Sequence, residues 1–518
     1  MRNSSYILST LLLFTFFFSQ QIAAQKNPTK VELVNANSLE SDDRIGKGVK
    51  RLIGNVQFKH EGALLYCDSA YLYPNNTIDA YNNVRIQQGD SMNIYGTFLK
   101  YNGNTRVAEI QKNIRLVQKS TTLQTDLLLY DMSSSIATYT TGGTIVSKQN
   151  TLTSQYGYFN RKTRVYSFKK NVVLTNPQYS IICDTLNYFS ATNTAYFNGP
   201  TQIKSKEDFI YCESGWYNTD KDIATFSKKA YIKSKQQKMK GDSIYYDKTK
   251  NIGKAYGNVE IIDSTQSLIV AGDYAIRLGK EERSIISGHT ILKQYYNTDT
   301  LFLHADSLKA IDEHPLNKKN EKDTSVTWRV MYAYHHVKFF REDMQGKCDS
   351  LIYFSKDSVM KLFKSPVLWS DKSQLTADKI EIHTGAKKNC NCTEIKKMYM
   401  TNNAMIISKE DSVKYNQIKG KDMTGYFKDN NIVKIFVEGN GQTIYFAKDK
   451  KKFIGVNKAD CSNMMIYLKE NEVHKITFLK KPDATLFPMK DFTPDEFKLK
   501  NFVWRENERP MDVEDIFE

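Results

Sequence analysis

Along most of the chain, apolar and polar side chains alternate in short runs separated by turn residues, as expected for strands with one buried and one wet face. The run Asp68 to Tyr73 (DSAYLY) predicts a strand, and Pro74-Asn75-Asn76-Thr77 a turn. A second strand passes through Ala80, Asn82-Asn83 turns the chain again, and Val84-Arg85-Ile86 predicts a third strand. Sister turns stand at Asn102-Gly103-Asn104-Thr105 and Asp220-Lys221-Asp222, while Gly257-Asn258-Val259-Glu260-Ile261 repeats the last turn and strand. No helical period persists after the N-terminus.

The pattern is itself periodic. Steps of 29 residues from Asp68 reach Thr97, Asp126, Gln155, Asp184, Glu213 and Asp242. Four residues beyond these anchors stand Leu72, Tyr101, Tyr130, Phe159, Tyr188, Tyr217 and Tyr246, a nearly continuous aromatic column. Related segments follow at wider intervals, at Asp273, Asp306, Asp349, Asp378, Asp422 and Asp460. One such unit cannot bury its own apolar face, so identical units stack and continue a shared interior. The expectation is an all-β, elongated repeat β-jellyroll or β-solenoid-like stack of about 29-residue units. Its divisions are a signal peptide at 1–24, a regular array at 25–310, a polar linker or loop insertion at 311–325, a more irregular array at 326–481 and a non-repetitive tail at 482–518.

The N-terminus changes the compartment. Met1-Arg2 precedes an apolar stretch from Tyr6 to Phe18 and the small pair Ala23-Ala24. That stretch is shorter than the ~20 residues that span a bilayer as a helix, and it reads as an export signal cleaved after Ala24. The C-terminal DVEDIFE does not read as the last strand of an outer-membrane barrel. With 73 Lys plus Arg against 57 Asp plus Glu, the 518-residue chain carries +16, which favours an anionic partner. Export and the lack of a basic helix argue against nucleic acid.

Candidate chemistry is sparse. Seven cysteines stand at 67, 183, 212, 348, 390, 392 and 461, an odd number for an oxidising compartment. Those at 67, 183, 212 and 348 directly precede an acid and read as small buried residues at equivalent repeat positions, with a Cys183–Cys212 disulfide as the sharper alternative. Cys390-x-Cys392 is too short for a zinc site without further ligands. The recurring Asp anchor suits an Asx turn and is repeated too often to be an active site. No phosphate loop, dinucleotide fingerprint or zinc-helix motif occurs. The expectation is a non-enzyme with no catalytic residue, no metal and no cofactor.

The Gly54-Asn55-Val56 turn, the phrase Tyr66-Cys67-Asp68-Ser69-Ala70-Tyr71, and the iterated Ala80 to Ile86, Ala108 to Leu116 and Ala255 to Ile261 segments together resemble the OstA-like, or LptA, family. The likeness is strongest over residues 30–265 and weaker to about 480. It implies a β-jellyroll whose apolar groove holds the acyl chains of lipopolysaccharide (lipid A), and periplasmic bridge proteins joined through edge strands between the two membranes. Partners implied are lipopolysaccharide, other transport proteins and the outer-membrane translocon, at the inner face of the outer membrane. The chain is far longer than the short bridge proteins and lacks the translocon's barrel, so a long bridge segment fits better than the translocon.

Such a groove needs a continuous apolar lining, which Val84, Ile86, Ile114, Leu116, Val172, Leu174, Val259 and Ile261 supply, with the aromatic column flanking. The competing reading makes both columns ordinary closed core. Spread lysines such as Lys169-Lys170 and Lys228-Lys229 suit either lipid A phosphates or simply solvated turns. Gly54, Val56 and Phe58 are expected on the N-terminal edge strand that pairs with a partner. The alternative from another class is a secreted β-solenoid with a structural or polysaccharide-binding or polysaccharide-processing role.

Overall fold

A computed structural model describes residues 29–41, 44, 46–90, 92–206, 208–234, 237–296, 299–316, 327–386, 393–449, 452–469 and 472–518. The expected signal peptide, Cys390 and Cys392, and most of the 311–325 segment lie outside these residues. Among the described residues there is no α-helix, and antiparallel strands alternate up and down in sequence order. Strands Ala63–Leu72, Thr77–Gln88 and Met92–Asn102 pair successively in this way.

The strands are twice as long as the alternation suggests, because the expected second and third strands are one, Thr77–Gln88. Asn82 and Asn83 do not end it. Both are left-handed, with φ of 60° and 46°, and they insert one extra residue into the ladder between Tyr81 and Val84. The result is a bulged corner that bends the strand and lets its two halves serve two facing sheets. Equivalent pairs occur at Lys112-Asn113, Lys170-Asn171, Lys228-Lys229, Gly257-Asn258, His335-His336 and Asn402-Asn403.

A left-handed non-glycine residue costs roughly 1–2 kcal/mol, and the repeat anchor offsets this cost. Asn83 donates to Asp68 at 2.8 Å, Asn258 to Asp242 at 2.9 Å, Lys229 to Glu213 at 2.7 Å and Asn403 to Asp378 at 3.1 Å. The 29-residue spacing of the acids is thus the spacing of corners. The cysteine beside the acid occupies the tight inner side of the bend.

Cys67, Cys183, Cys212, Cys348 and Cys461 are free and buried. Thr201 pairs with Cys183 on one side and Cys212 on the other, so a whole strand separates these two. Two strand spacings, about 9.6 Å, exceed the ~7 Å Cα limit for a disulfide. Burial, reinforced by Asp184 and Cys212, pushes the Cys183 thiol up to about 12, and burial pushes Cys212 to about 11. In the native protein at pH 8, neither should react with a maleimide, and both should label once urea is added. Labelling in urea only after a reductant would instead show the disulfide.

The strands form two compact units. The first comprises residues up to Lys148 together with Tyr158–Lys162, and the second comprises Gln149–Gly157 with Thr163–Glu518. The division therefore falls near residues 148–163. Thr300–Glu313 and Trp328–Arg341, which flank the expected linker or loop insertion at 311–325, pair directly and both lie within the second unit.

In the first unit, Leu52, Ile78, Ile94, Leu99, Ile110 and Leu128 make a core closed to solvent. In the second, the outer face of one sheet carries apolar Trp369, Ile407, Ile444 and Phe446 and is covered by the chain's own C-terminal segment, which contributes Phe497 and Leu499. Buried glutamines on every second strand grip the backbone of that segment. Gln417 donates to the Phe497 carbonyl at 2.9 Å and accepts the Leu499 N–H at 2.8 Å. Gln374 donates to the Val503 carbonyl at 2.8 Å and accepts the Arg505 N–H at 2.7 Å, and Gln345 accepts from Arg509 at 2.8 Å. Lys409–Glu506 at 2.7 Å and Lys347–Glu508 at 3.0 Å flank the track.

Candidate functional site

Within each unit, successive hairpins of the described strands fall alternately at two margins, or lips, and the side chains near strand ends decide whether the space between them closes. His60 ends Lys50–His60 on one lip, and Tyr101 stands next to the end of Met92–Asn102 on the other. Tyr101 Oη and His60 Nδ1 share a buried hydrogen bond of 2.6 Å across the mouth. Tyr130 donates to Gln88 in the same sense, and Arg106 pairs with Glu61 at 2.7 Å. The first unit is clasped shut by its aromatic column.

The second unit differs. Its tyrosines turn back to their own lip: Tyr188 bonds Asn193 at 3.0 Å, and Tyr217 donates to Asp222. Burial and the Asp222 bond push the Tyr217 hydroxyl upward, so it stays a neutral donor. Between the sheets lies a cavity of about 500 Å³. Its walls include half-buried Ile261, Val270, Leu301, Met331, Met344 and Met360, and its floor holds Ile286, Leu303 and Phe339.

Charged groups gather at its mouth. Arg329 Nε donates to Asp312 at 2.7 Å, Arg277 joins the same carboxylate at 3.2 Å, and the Arg329 guanidinium lies 3.9 Å from Asp263 on the opposite lip. Burial pushes the Asp263 carboxyl upward, but hydrogen bonds from Gln237 and from the Gln266 and Thr265 N–H groups, with Arg329 nearby, outweigh it and hold the carboxyl below the usual range. The space is apolar within and charged at its rim. No cluster of His, Cys, Asp or Glu suited to a metal occurs among the described residues.

The expected groove residues divide between the two situations. Val84, Ile86, Ile114 and Leu116 sit in the closed core of the first unit, because the tyrosine clasps leave no gap above them. Val172 and Val259 are likewise buried, Leu174 is half-buried, and Ile261 lines the cavity. Gly54, Val56 and Phe58 belong to Lys50–His60, which pairs with Ala63–Leu72 on one side. On its other side lie Glu32–Asn35 and Ser38–Ser41, so the exposed edge is one strand further out than the sequence suggested. The sequence did carry a sign of the cavity. At Asp273 and Asp306 the fourth residue beyond the anchor is Arg277 and Ala310, and both line it. The column is interrupted along the hollow and resumes at Tyr353, four residues beyond Asp349, which also borders it.

The fold is a repeat β-jellyroll of bent strands with an apolar interior. Residues 28–184 match the family model described as OstA-like protein, and residues 257–388 match that of the LptA/(LptD N-terminal domain) LPS transport protein. Both matched stretches are of the OstA-like/LptA family. Proteins of this family are periplasmic and non-enzymatic and serve lipopolysaccharide transport. No curated protein matches the chain. Among solved structures it is similar to LptH, the LptA homologous periplasmic component of the lipopolysaccharide transport device from Pseudomonas aeruginosa, at 14% identity over 22% of this chain and 93% of that one, with a TM-score of 0.21.

Proposed function

We propose that the chain is an exported periplasmic carrier whose second unit holds lipopolysaccharide acyl chains, and that it is a segment of the bridge between the inner and outer membranes. The observation that carries this reading is the cavity of about 500 Å³, apolar within and ringed by Arg277, Arg329, Asp312 and Asp263 at its mouth. Acyl chains fill the apolar walls while the head group stays at the wet rim, which is how an amphiphile is carried through water. Joining to neighbours is assigned to the unpaired sides of Glu32–Asn35 and Ser38–Ser41 at one end of the array and of Glu472–Leu479 at the other, by strand addition. The partners on this reading are other transport proteins, the outer-membrane translocon among them.

A photocrosslinking residue at Val270 in living cells should capture lipopolysaccharide, whereas one at Ile114, inside the clasped core, should not. Capture from the exposed outer face at Tyr256 with none from Val270 would remove the groove from the proposal. One at Leu39, on the exposed edge, should capture a second protein.

A further inference from the structure

We propose that the mouth between Asp263 and Asp312 is a side portal through which acyl chains enter and leave, with Arg329 as its bolt. This rests on the acyl-carrying reading above and goes beyond it by assigning a route and the residues that control passage. Three observations converge on this stretch.

The first is the interruption of the aromatic column. Where Tyr101 and Tyr130 stand in the closed unit, Arg277 and Ala310 stand here, so the column sends no ring across at these two positions. The second is the identity of the spanning group. Arg329 begins the strand Trp328–Arg341 on one lip, and Asp263 ends Ile252–Asp263 on the other, so their contact joins the two lips.

The third is that this contact can break without stranding either partner. Asp263 keeps Gln237 at 2.9 Å and the Thr265 and Gln266 N–H groups at 3.0 and 3.1 Å. Arg329 keeps Asp312 at 2.7 Å, closer than the 3.9 Å that separates it from Asp263. Opening therefore gives up one long ion contact while each charge keeps its shorter hydrogen-bond partners, so neither is left unpaired. A buried clasp such as Tyr101–His60 has no such fallback, because parting it leaves buried polar atoms unpaired.

The bolt acts on rates more than on affinity, since Arg329 restrains the passage and the apolar walls hold the chain. Stopped-flow mixing of the full mature chain with cis-parinaric acid, a fluorescent acyl probe, tests this. Arg329→Gln should speed both entry and release by about fivefold, which corresponds to about 1 kcal/mol, with the equilibrium affinity nearly unchanged. Ala310→Tyr, which restores a ring to the column at a site bordering empty space, should slow both rates. Tight probe binding with rates unaltered in both variants overturns the portal and leaves the acyl-carrying reading standing. Absence of probe binding to the unaltered protein overturns both. A urea titration of each variant shows that it is folded.

Discussion

Removing Phe497–Glu518 should lower the stability of the second unit by on the order of 5 kcal/mol, from the loss of the Phe497, Leu499 and Ile516 side chains at about 1.5–3 kcal/mol each. The truncation also uncovers Trp369, Phe446 and Ile407, which lie on the outside of a sheet and are buried only because the segment covers them. An effect of this size matches the whole stability margin of many domains. Urea unfolding should show a much lower midpoint. Hydrogen exchange should show protection lost in Val367–Ser370 and Ser373–Thr376 and retained in Ile252–Asp263. Gln374→Ala and Gln417→Ala should each cost about 1–3 kcal/mol, since each glutamine holds a donor and an acceptor of the segment's backbone. An unchanged midpoint on truncation would mean that the segment rides on the sheet without holding it.

The second large effect is a contrast between two substitutions of the same kind. Val84→Asp places a carboxylate in a core position 1% exposed, with no partner in reach of the apolar cluster, and should cost on the order of 4 kcal/mol or more. Val270→Asp places it on the wall of the hollow, where water enters when no ligand is present, so the fold should lose only about 1 kcal/mol. Binding of an acyl probe should then fall at least tenfold, because the carboxylate must be dehydrated when a chain occupies the space. Circular dichroism in urea and probe fluorescence separate the two quantities. Equal loss of stability in both variants would show that the second unit is packed as tightly as the first.

Much of this was legible in the residues. The 29-residue period, the all-β class and the acidic anchors follow from alternation and spacing, both of which survive into the folded chain. The corners were misread because Asn82-Asn83 has the composition of a turn, and only the paired register on both sides shows that the strand continues through it. The position of the hollow was harder still. Val84 and Val259 follow equivalent Asn residues, and Ile86 and Ile261 match them two places on, yet Ile86 is sealed and Ile261 borders a cavity. What differs is the group reaching across the mouth, Tyr130 to Gln88 in one unit and Arg329 to Asp263 in the other. These partners lie far apart in sequence, and alternation within a strand carries no information about them. The edge was misplaced for a similar reason, since the short strands Glu32–Asn35 and Ser38–Ser41 are too brief and too exposed to show a period.

The bent strand also governs how such a chain can change in length. Because each strand crosses from one sheet to the other through its corner, a residue added within a strand would shift the register of both sheets at once and turn every following side chain the wrong way. Hairpin connections carry no such constraint, and the one between the paired strands Thr300–Glu313 and Trp328–Arg341 is long in sequence. Variation is thereby channelled into the lips, the same margins that carry the clasps and the portal, while the interior surface is inherited unit by unit. Length can thus change at the lips while the apolar interior keeps its register.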